Sequence, residues 1–198
     1  MSPDAPQPAR IRAFVALDLP EPVRSGIDAW GVGALDDEAL RRVTAERLHL
    51  TLCFLGHLPP DDIERAVRIV TEARPRPVPV TLGAEPVAKP KGRPRLFALE
   101  ADSPAAVELQ AELSQALSGA GLYEPEARPF WPHLTVARVR TEPGRRRKPR
   151  RVRIRPGELP PALVHTFASV RIALYRSNLR PGGAHYEPLA NLDLPPTG

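Results

Sequence analysis

Two tetrapeptides of one form, His49-Leu50-Thr51-Leu52 and His133-Leu134-Thr135-Val136, lie 84 residues apart, and no other feature constrains the fold of this chain as much. In an extended strand, residues two positions apart share a face, so each His sits beside its Thr while the intervening Leu50 and Leu134, with Leu52 and Val136, turn to the opposite side. Each tetrapeptide therefore reads as a strand carrying a proton-transfer group and a hydroxyl on one face and an apolar scaffold on the other. His57, His165 and His185 have no Thr two positions on and read as ordinary surface or core histidines.

The flanking landmarks keep the same step, which marks an internal duplication. Phe14 to Phe97 is 83 residues, Pro22 to Pro104 is 82, and His49 to His133 is 84. In the first half, residues 11–17 read as a strand, Pro22 opens a helix carrying Val23, Ile27 and Trp30, and residues 48–55 form the first motif strand. In the second, residues 96–100 read as a strand and Ser103-Pro104 as an N-cap and first helical residue. Val107, Leu109, Leu113 and Leu117 then support a helix ended by Gly119 and Gly121, and residues 133–139 form the second motif strand.

Further elements lie between and after the halves. Ile63, Ala66, Val67 and Val70, behind Pro59-Pro60-Asp61-Asp62, have the spacing of an amphipathic helix packed on a sheet. Residues 78–82, 164–174 and 184–189 read as strands, with Arg180-Pro181-Gly182-Gly183 as the turn before the last. Helices and strands alternate irregularly and several strands look half exposed. We therefore expect an α+β fold of two similar lobes, each with a mainly antiparallel sheet, whose motif strands face each other across a central cleft. Residues 1–10 are Pro-rich and read as a disordered tail, leaving 11–198 as a single domain.

Charge narrows the partners. A net charge of +5 and an isoelectric point near 10 favour polyanions, of which nucleic acid is the commonest. Much of the excess falls in residues 138–155, where ten Arg and Lys, including Arg145, Arg146 and Arg147, accompany a single acid, Glu142. We read this run as a mobile loop entering an exposed strand at 151–155, and favour a phosphate-tracking patch over a merely solvated face. No apolar stretch is long enough for a membrane span or a signal peptide. The single cysteine, Cys53, excludes an internal disulfide and a cysteine-built zinc site and suits a reducing cytosol. Cys53 shares strand parity with His49 and Thr51, which would set it at the cleft edge, although no base partner is evident and packing is its favoured role.

The two His-x-Thr-x motifs do not stand alone. The start Arg12-Ala-Phe-Val-Ala-Leu, the contexts Arg47-Leu-His-Leu-Thr-Leu-Cys-Phe-Leu-Gly and Arg128-Pro-Phe-Trp-Pro-His-Leu-Thr-Val-Ala-Arg, and Leu174-Tyr-Arg-Ser together resemble the 2H phosphoesterases, in particular the bacterial RNA 2′,3′-cyclic phosphodiesterases, also called 2′-5′ RNA ligases. The resemblance runs from about Arg12 to Leu189. It implies a bilobal fold without metal or organic cofactor, His49 as proton donor, His133 as proton acceptor, and Thr51 and Thr135 on the phosphate. It further implies RNA with 2′,3′-cyclic phosphate ends as partner, a 2′-phosphate product and reversible 2′-5′ ligation as a companion reaction; separately, we expect a cytoplasmic monomer.

The chemistry agrees on its own terms. Opening a cyclic phosphodiester needs in-line attack with the leaving oxygen on the far side, hence two proton stations, and histidine, titrating near pH 6.5, can serve either role. Two histidines without a third ligand at metal spacing fall short of a catalytic zinc site, which would need a distant partner. Arg138 is suggested by the resemblance as a phosphate ligand, but strict alternation puts it on the wrong face unless the strand bulges. Phe130 and Trp131 could stack a base or pack in the core, and Tyr175 and Arg176 are candidate RNA contacts on the same footing. The dyad does not separate RNA ends from cyclic nucleotides or an ADP-ribose cyclic phosphate as substrate. A non-catalytic RNA-binding module is the rival from another class.

Overall fold

The computed structural model describes residues 9–142, 144–180 and 183–196, with the backbone alone at 145–147. Residues 1–8 of the expected tail lie outside that range. The strands are β1 (Ile11–Asp18), β2 (Leu40–Arg42), β3 (His49–Leu58), β4 (Pro79–Lys89), β5 (Leu96–Asp102), β6 (His133–Val139), β7 (Thr141–Glu142), β8 (Arg145–Pro149), β9 (Thr166–Ala168), β10 (Arg171–Arg180) and β11 (Gly183–Asp193). The helices are α1 (Glu21–Ala34), α2 (Pro60–Thr71) and α3 (Pro104–Gly119).

The fold is α+β, as expected, and its strand pairings are antiparallel, but the two half-sheets are continuous. Their path runs β11-β10-β1-β3-β6-β5-β4-β9, with β2 added beside β6. The motif strands β3 and β6 meet at the centre of this path, where the two half-sheets join. They lie side by side, joined by the single register pair Leu50–Leu134. The duplication appears as a pseudo-twofold about that pair, with β1 matching β5 and β3 matching β6.

Local sequence explains the elements that hold the site. Ser103 caps α3, accepting from the Ala106 amide at 3.1 Å while donating to the Pro79 carbonyl, and Pro104 takes the first helical position. The helix ends where Gly121 turns to φ 73°: its amide bonds Ser118 and that of Leu122 bonds Leu117, so two otherwise orphaned carbonyls are satisfied. Ala106, Leu109, Leu113 and Leu117 form its buried stripe. α2 buries Ile63, Ala66 and Val70 against β1, β10 and β11, with Asp61 and Asp62 at its positive N-terminal end.

Three expectations are corrected. The strand read over residues 164–174 is two, β9 and β10, because the chain leaves one edge of the sheet at Ser169 and Val170 and enters the other half; the Ser169 amide bonds Val78 while that of Val170 bonds Asp18. Residues 151–155 alternate exposed and half-buried positions without forming a strand. Their amides at Arg153 and Ile154 bond the Asp37 carboxylate instead of a neighbouring strand. The basic run instead supplies β7 and β8, which form a separate two-stranded ribbon. Of the turn before β11, residues 181 and 182 lie outside the described range, and Arg180 pairs with Gly183 on either side of it.

Candidate active site

The two motifs present their histidines in the same way. His49 and His133 each hold Nδ1 2.8 Å from the carbonyl oxygen two residues upstream, Arg47 and Trp131 respectively. An Nδ1–H donating to that carbonyl fixes the neutral tautomer and leaves Nε2 as the basic nitrogen. Antiparallel register through Leu50–Leu134 sets each His beside the other motif's Thr, His49 by Thr135 and His133 by Thr51, so the two imidazoles are diagonal neighbours. All four side chains are partly exposed, whereas Leu50 and Leu134 are fully buried beneath them.

The surroundings of the two histidines differ. His49 packs between aromatic rings, 4.9 Å from Phe14 and edge-on to Tyr186 at 5.1 Å. Burial pushes its pKa down to about 4, against the opposing Arg47 hydrogen bond and with the help of the Arg138 and His133 charges. His133 stacks on Trp131 with centroids 4.1 Å apart, and Lys89 Nζ lies 4.4 Å from the same indole. Its pKa is lowered as well, by burial first and then by Arg138 and Lys89, with the Trp131 hydrogen bond opposing. Both imidazoles are thus biased toward the neutral form in the free protein.

A carboxylate stands beside each histidine on the neighbouring strand. Asp18 is in register with His49 and Glu100 with His133. Asp18 accepts from Tyr175 Oη at 2.9 Å on both oxygens and lies 3.3 Å from Arg171, yet burial outweighs these partners and raises its pKa. Glu100 accepts from Trp131 Nε1 at 3.2 Å. Neither acid is signalled by the motifs. Their equivalence emerges only from the 82-residue offset between Asp18 and Glu100 once the strands are paired.

Matching bulges decide the rest of the geometry. In β3, Thr51 and Cys53 pair with consecutive residues of β1, so Leu52 is the extra residue; in β6, Val136 is extra against β5. After each bulge the alternation shifts by one. Leu52 and Cys53 are both buried, as are Val136 and Ala137, and Phe54 and Arg138 emerge five residues after their histidines. Arg138 thereby reaches the histidine face that strict alternation denied it, and its charge bears on both imidazoles. The same bulge corrects the expected place of Cys53, which is fully buried rather than at the cleft edge.

The remaining candidates separate. Trp131 and Tyr175 join the histidine surroundings, Tyr175 stacking 5.5 Å from Phe14, and the Trp131 ring is engaged by His133 and Lys89. Phe130 packs half-buried against the core. Arg176 is exposed and pairs in register with Ala13, so alternation along β10 puts it on the face opposite Tyr175. The side chains of Arg145, Arg146 and Arg147 lie outside the described residues. His57, His165 and His185 are all exposed. Among the described residues, no three His, Cys, Asp or Glu side chains cluster as a metal site requires, and no helix is long and apolar enough to cross a membrane.

Comparison with known proteins places this geometry. The sequence profile of the 2′-5′ RNA ligase superfamily matches residues 19–177. The chain is 29% identical over 179 residues to the RNA 2′,3′-cyclic phosphodiesterase of Escherichia coli and 30% identical over 188 residues to that of Thermotoga maritima, spanning in each case 90% of this chain and 93% of the relative. Among solved structures it is similar to TT0787 of Thermus thermophilus, at a TM-score of 0.73 and 26% identity over 93% of this chain and 98% of the other. E. coli LigT complexed with 3′-AMP matches at 0.71 and 26%, over 94% and 98%.

Proposed function

The chain belongs to the 2′-5′ RNA ligase superfamily, and on that premise we propose that it is an RNA 2′,3′-cyclic phosphodiesterase that opens the cyclic phosphate to a 2′-phosphate, with His49 and His133 as its two proton stations. The observation that carries the proposal is the mirrored pinning of the imidazoles, each with Nδ1 held by a carbonyl 2.8 Å away and Nε2 left for chemistry. In-line displacement at phosphorus uses that pair directly. His133, neutral, removes a proton from water as its oxygen attacks. His49, protonated, delivers a proton to the departing O3′, so that the 2′-ester bond survives. Each role is worth roughly 10²- to 10⁴-fold.

The threonines complete the cradle. Thr51 and Thr135, interleaved with the histidines by the register, donate to the non-bridging oxygens, at about 1.5–3 kcal/mol for each hydrogen bond to a charged group. Arg138 adds positive charge where the bulge delivers it. That same charge, together with burial, keeps His49 neutral in the free protein, so the proton it donates must be stabilised by the phosphate itself: an anion between the histidines offsets Arg138 and raises the proton affinity of both.

The direct test incubates chelator-treated protein with a short RNA ending in a 2′,3′-cyclic phosphate and maps the phosphomonoester formed. A 2′-phosphate product, with a rate unchanged by chelator, is expected. An exclusive 3′-phosphate, or activity abolished by chelator and restored by a metal, overturns the mechanism.

A further inference from the structure

Next to the histidines lies a cavity of about 240 Å³ whose lining, among the described residues, includes five arginines, Arg12, Arg41, Arg42, Arg47 and Arg138, and no carboxylate. Arg42 turns to Asp28, 3.0 Å away, and Arg12 donates to Ser177 Oγ at 2.7 Å while lying over the Phe54 ring. Arg41 and Arg138 are register partners across β2 and β6, so two guanidinium-bearing residues are held side by side by backbone pairing. Gly183, at φ 118°, forms part of the wall, and a Cβ there would come within 2.7 Å of the Arg47 guanidinium and 3.7 Å of that of Arg41. The absence of a side chain is what lets both groups lie against this backbone. Burial lowers the pKa of Arg41, and the charges of Arg138, Arg140 and Arg47 lower it further. Cations gathered in this way repel one another until an anion arrives, and guanidinium forks suit phosphate oxygens.

The position of the cavity says which anion. Tyr186 lines it and is also the ring edge-on to His49, so one side chain separates the two sites. Arg138 spans them, lining the cavity while acting on both histidines. A volume of about 240 Å³ is below the range of about 300–1,000 Å³ that holds a drug-sized ligand, and it fits a phosphate group rather than a further nucleoside.

We propose that this cavity is a second phosphate subsite, which takes the phosphodiester on the 5′ side of the nucleoside whose cyclic phosphate sits between the histidines. The subsite rests on the reading of the dyad given above. It makes the protein selective for a strand end over a cyclic mononucleotide, through charge rather than base identity.

The test compares adenosine 2′-phosphate, adenosine 2′,5′-bisphosphate and the dinucleotide ApA bearing a terminal 2′-phosphate, by calorimetric titration at fixed ionic strength. Wild type should bind the bisphosphate and the dinucleotide at least about tenfold more tightly than the monophosphate. Arg41→Gln should cut that advantage to within about twofold while leaving monophosphate affinity within twofold, and Arg41→Lys should retain part of it. No advantage in wild type, or equal loss for all three ligands in Arg41→Gln, overturns the subsite. An advantage for the bisphosphate but not for the dinucleotide overturns its assignment to an RNA strand. Turnover of the corresponding cyclic phosphates is read in parallel: a wild type that opens none of them yet shows the Arg41-dependent advantage sinks the catalytic reading and leaves the subsite standing.

Discussion

Leu50 faces Leu134 on the register pair that joins β3 to β6, and both side chains are fully buried. Everything about the dyad hangs on this contact, because it fixes which Thr each His meets and how far apart the imidazoles lie. A twofold repeat places its most symmetric pair on the axis. Here that pair is apolar and forms the floor of the site.

Leu134→Ala should therefore act twice. Loss of a fully buried leucine costs about 2–5 kcal/mol, read as a lower denaturation midpoint. In addition, kcat should fall at a temperature where the variant is still folded, because the rung that spaces the histidines has lost one of its side chains. Unchanged kcat in the folded variant would show that the histidines are positioned without this pair.

How much of this was legible in the sequence follows from what each residue encodes locally. Period-two alternation placed the starts of β1, β3, β5 and β6 to within one residue, though β3 runs three residues and β5 two residues further than read, and Ser103-Pro104 marked the start of α3 because a cap is a local interaction. The bulges at Leu52 and Val136 were not legible, since the extra residue exists only relative to β1 and β5. That single non-local fact moved Cys53 inward and Arg138 outward. Asp18, Glu100, Tyr186 and Arg41 were missed for a related reason: no spacing rule links them to the motifs until the strands are paired. Residues 151–155 misled because their alternation is real, while Asp37 takes the amides that a strand would have needed.

Stability should depend on pH through His49. Its folded pKa, about 4, lies below the unfolded value near 6.5, so as pH falls below about 6.5 the unfolded chain takes up the proton first. Folding stability then declines down to about pH 4 and loses nothing further through this group below it. His133 is shifted in the same direction and adds to the slope. Denaturant midpoints measured from pH 7.5 to 4 should fall less steeply in His49→Asn; an unaltered slope would mean that His49 is not buried neutral.

Activity carries the same signature. Burial and Arg138 depress both histidines in the free protein; on the proposed mechanism bound phosphate should restore their proton affinity, so the bell for kcat/KM should lie at lower pH than the bell for kcat. Arg138→Gln should move the kcat/KM bell upward and lower its height by roughly tenfold or more, as expected when one hydrogen bond to a charged group, about 1.5–3 kcal/mol, is lost. A bell fixed in pH would remove Arg138 from the electrostatics of the site.

Cys53 should be chemically silent. Burial pushes its thiol up to about 12 despite a hydrogen bond from Gln110, so a disulfide reagent should label native protein at least about 10³-fold more slowly than unfolded protein. Rapid labelling without unfolding would contradict its place beneath α3.

For the basic ribbon, we propose that Arg145, Arg146 and Arg147 track RNA phosphates beyond the site. Replacing all three with Ser should weaken oligonucleotide binding and flatten its log-log salt slope by up to about 2, while sparing a cyclic mononucleotide. Equal loss on both substrates would put them in the catalytic site.

The central claim is that two mirrored histidines divide acid from base on one phosphate, and the measurement that addresses it is the rate of His49→Ala and His133→Ala on two substrates: a nucleoside 2′,3′-cyclic phosphate and a nucleoside 2′-(4-nitrophenyl phosphate), whose leaving group needs no proton. Each variant should lose at least about 10²-fold on the cyclic substrate. On the nitrophenyl ester, His49→Ala should recover toward the wild-type rate, because the missing acid is no longer needed, and His133→Ala should stay slow because water still lacks its base. Recovery of His133→Ala with His49→Ala remaining slow would reverse the roles, and a loss smaller than about 10²-fold in both variants on the cyclic substrate would contradict the dyad itself.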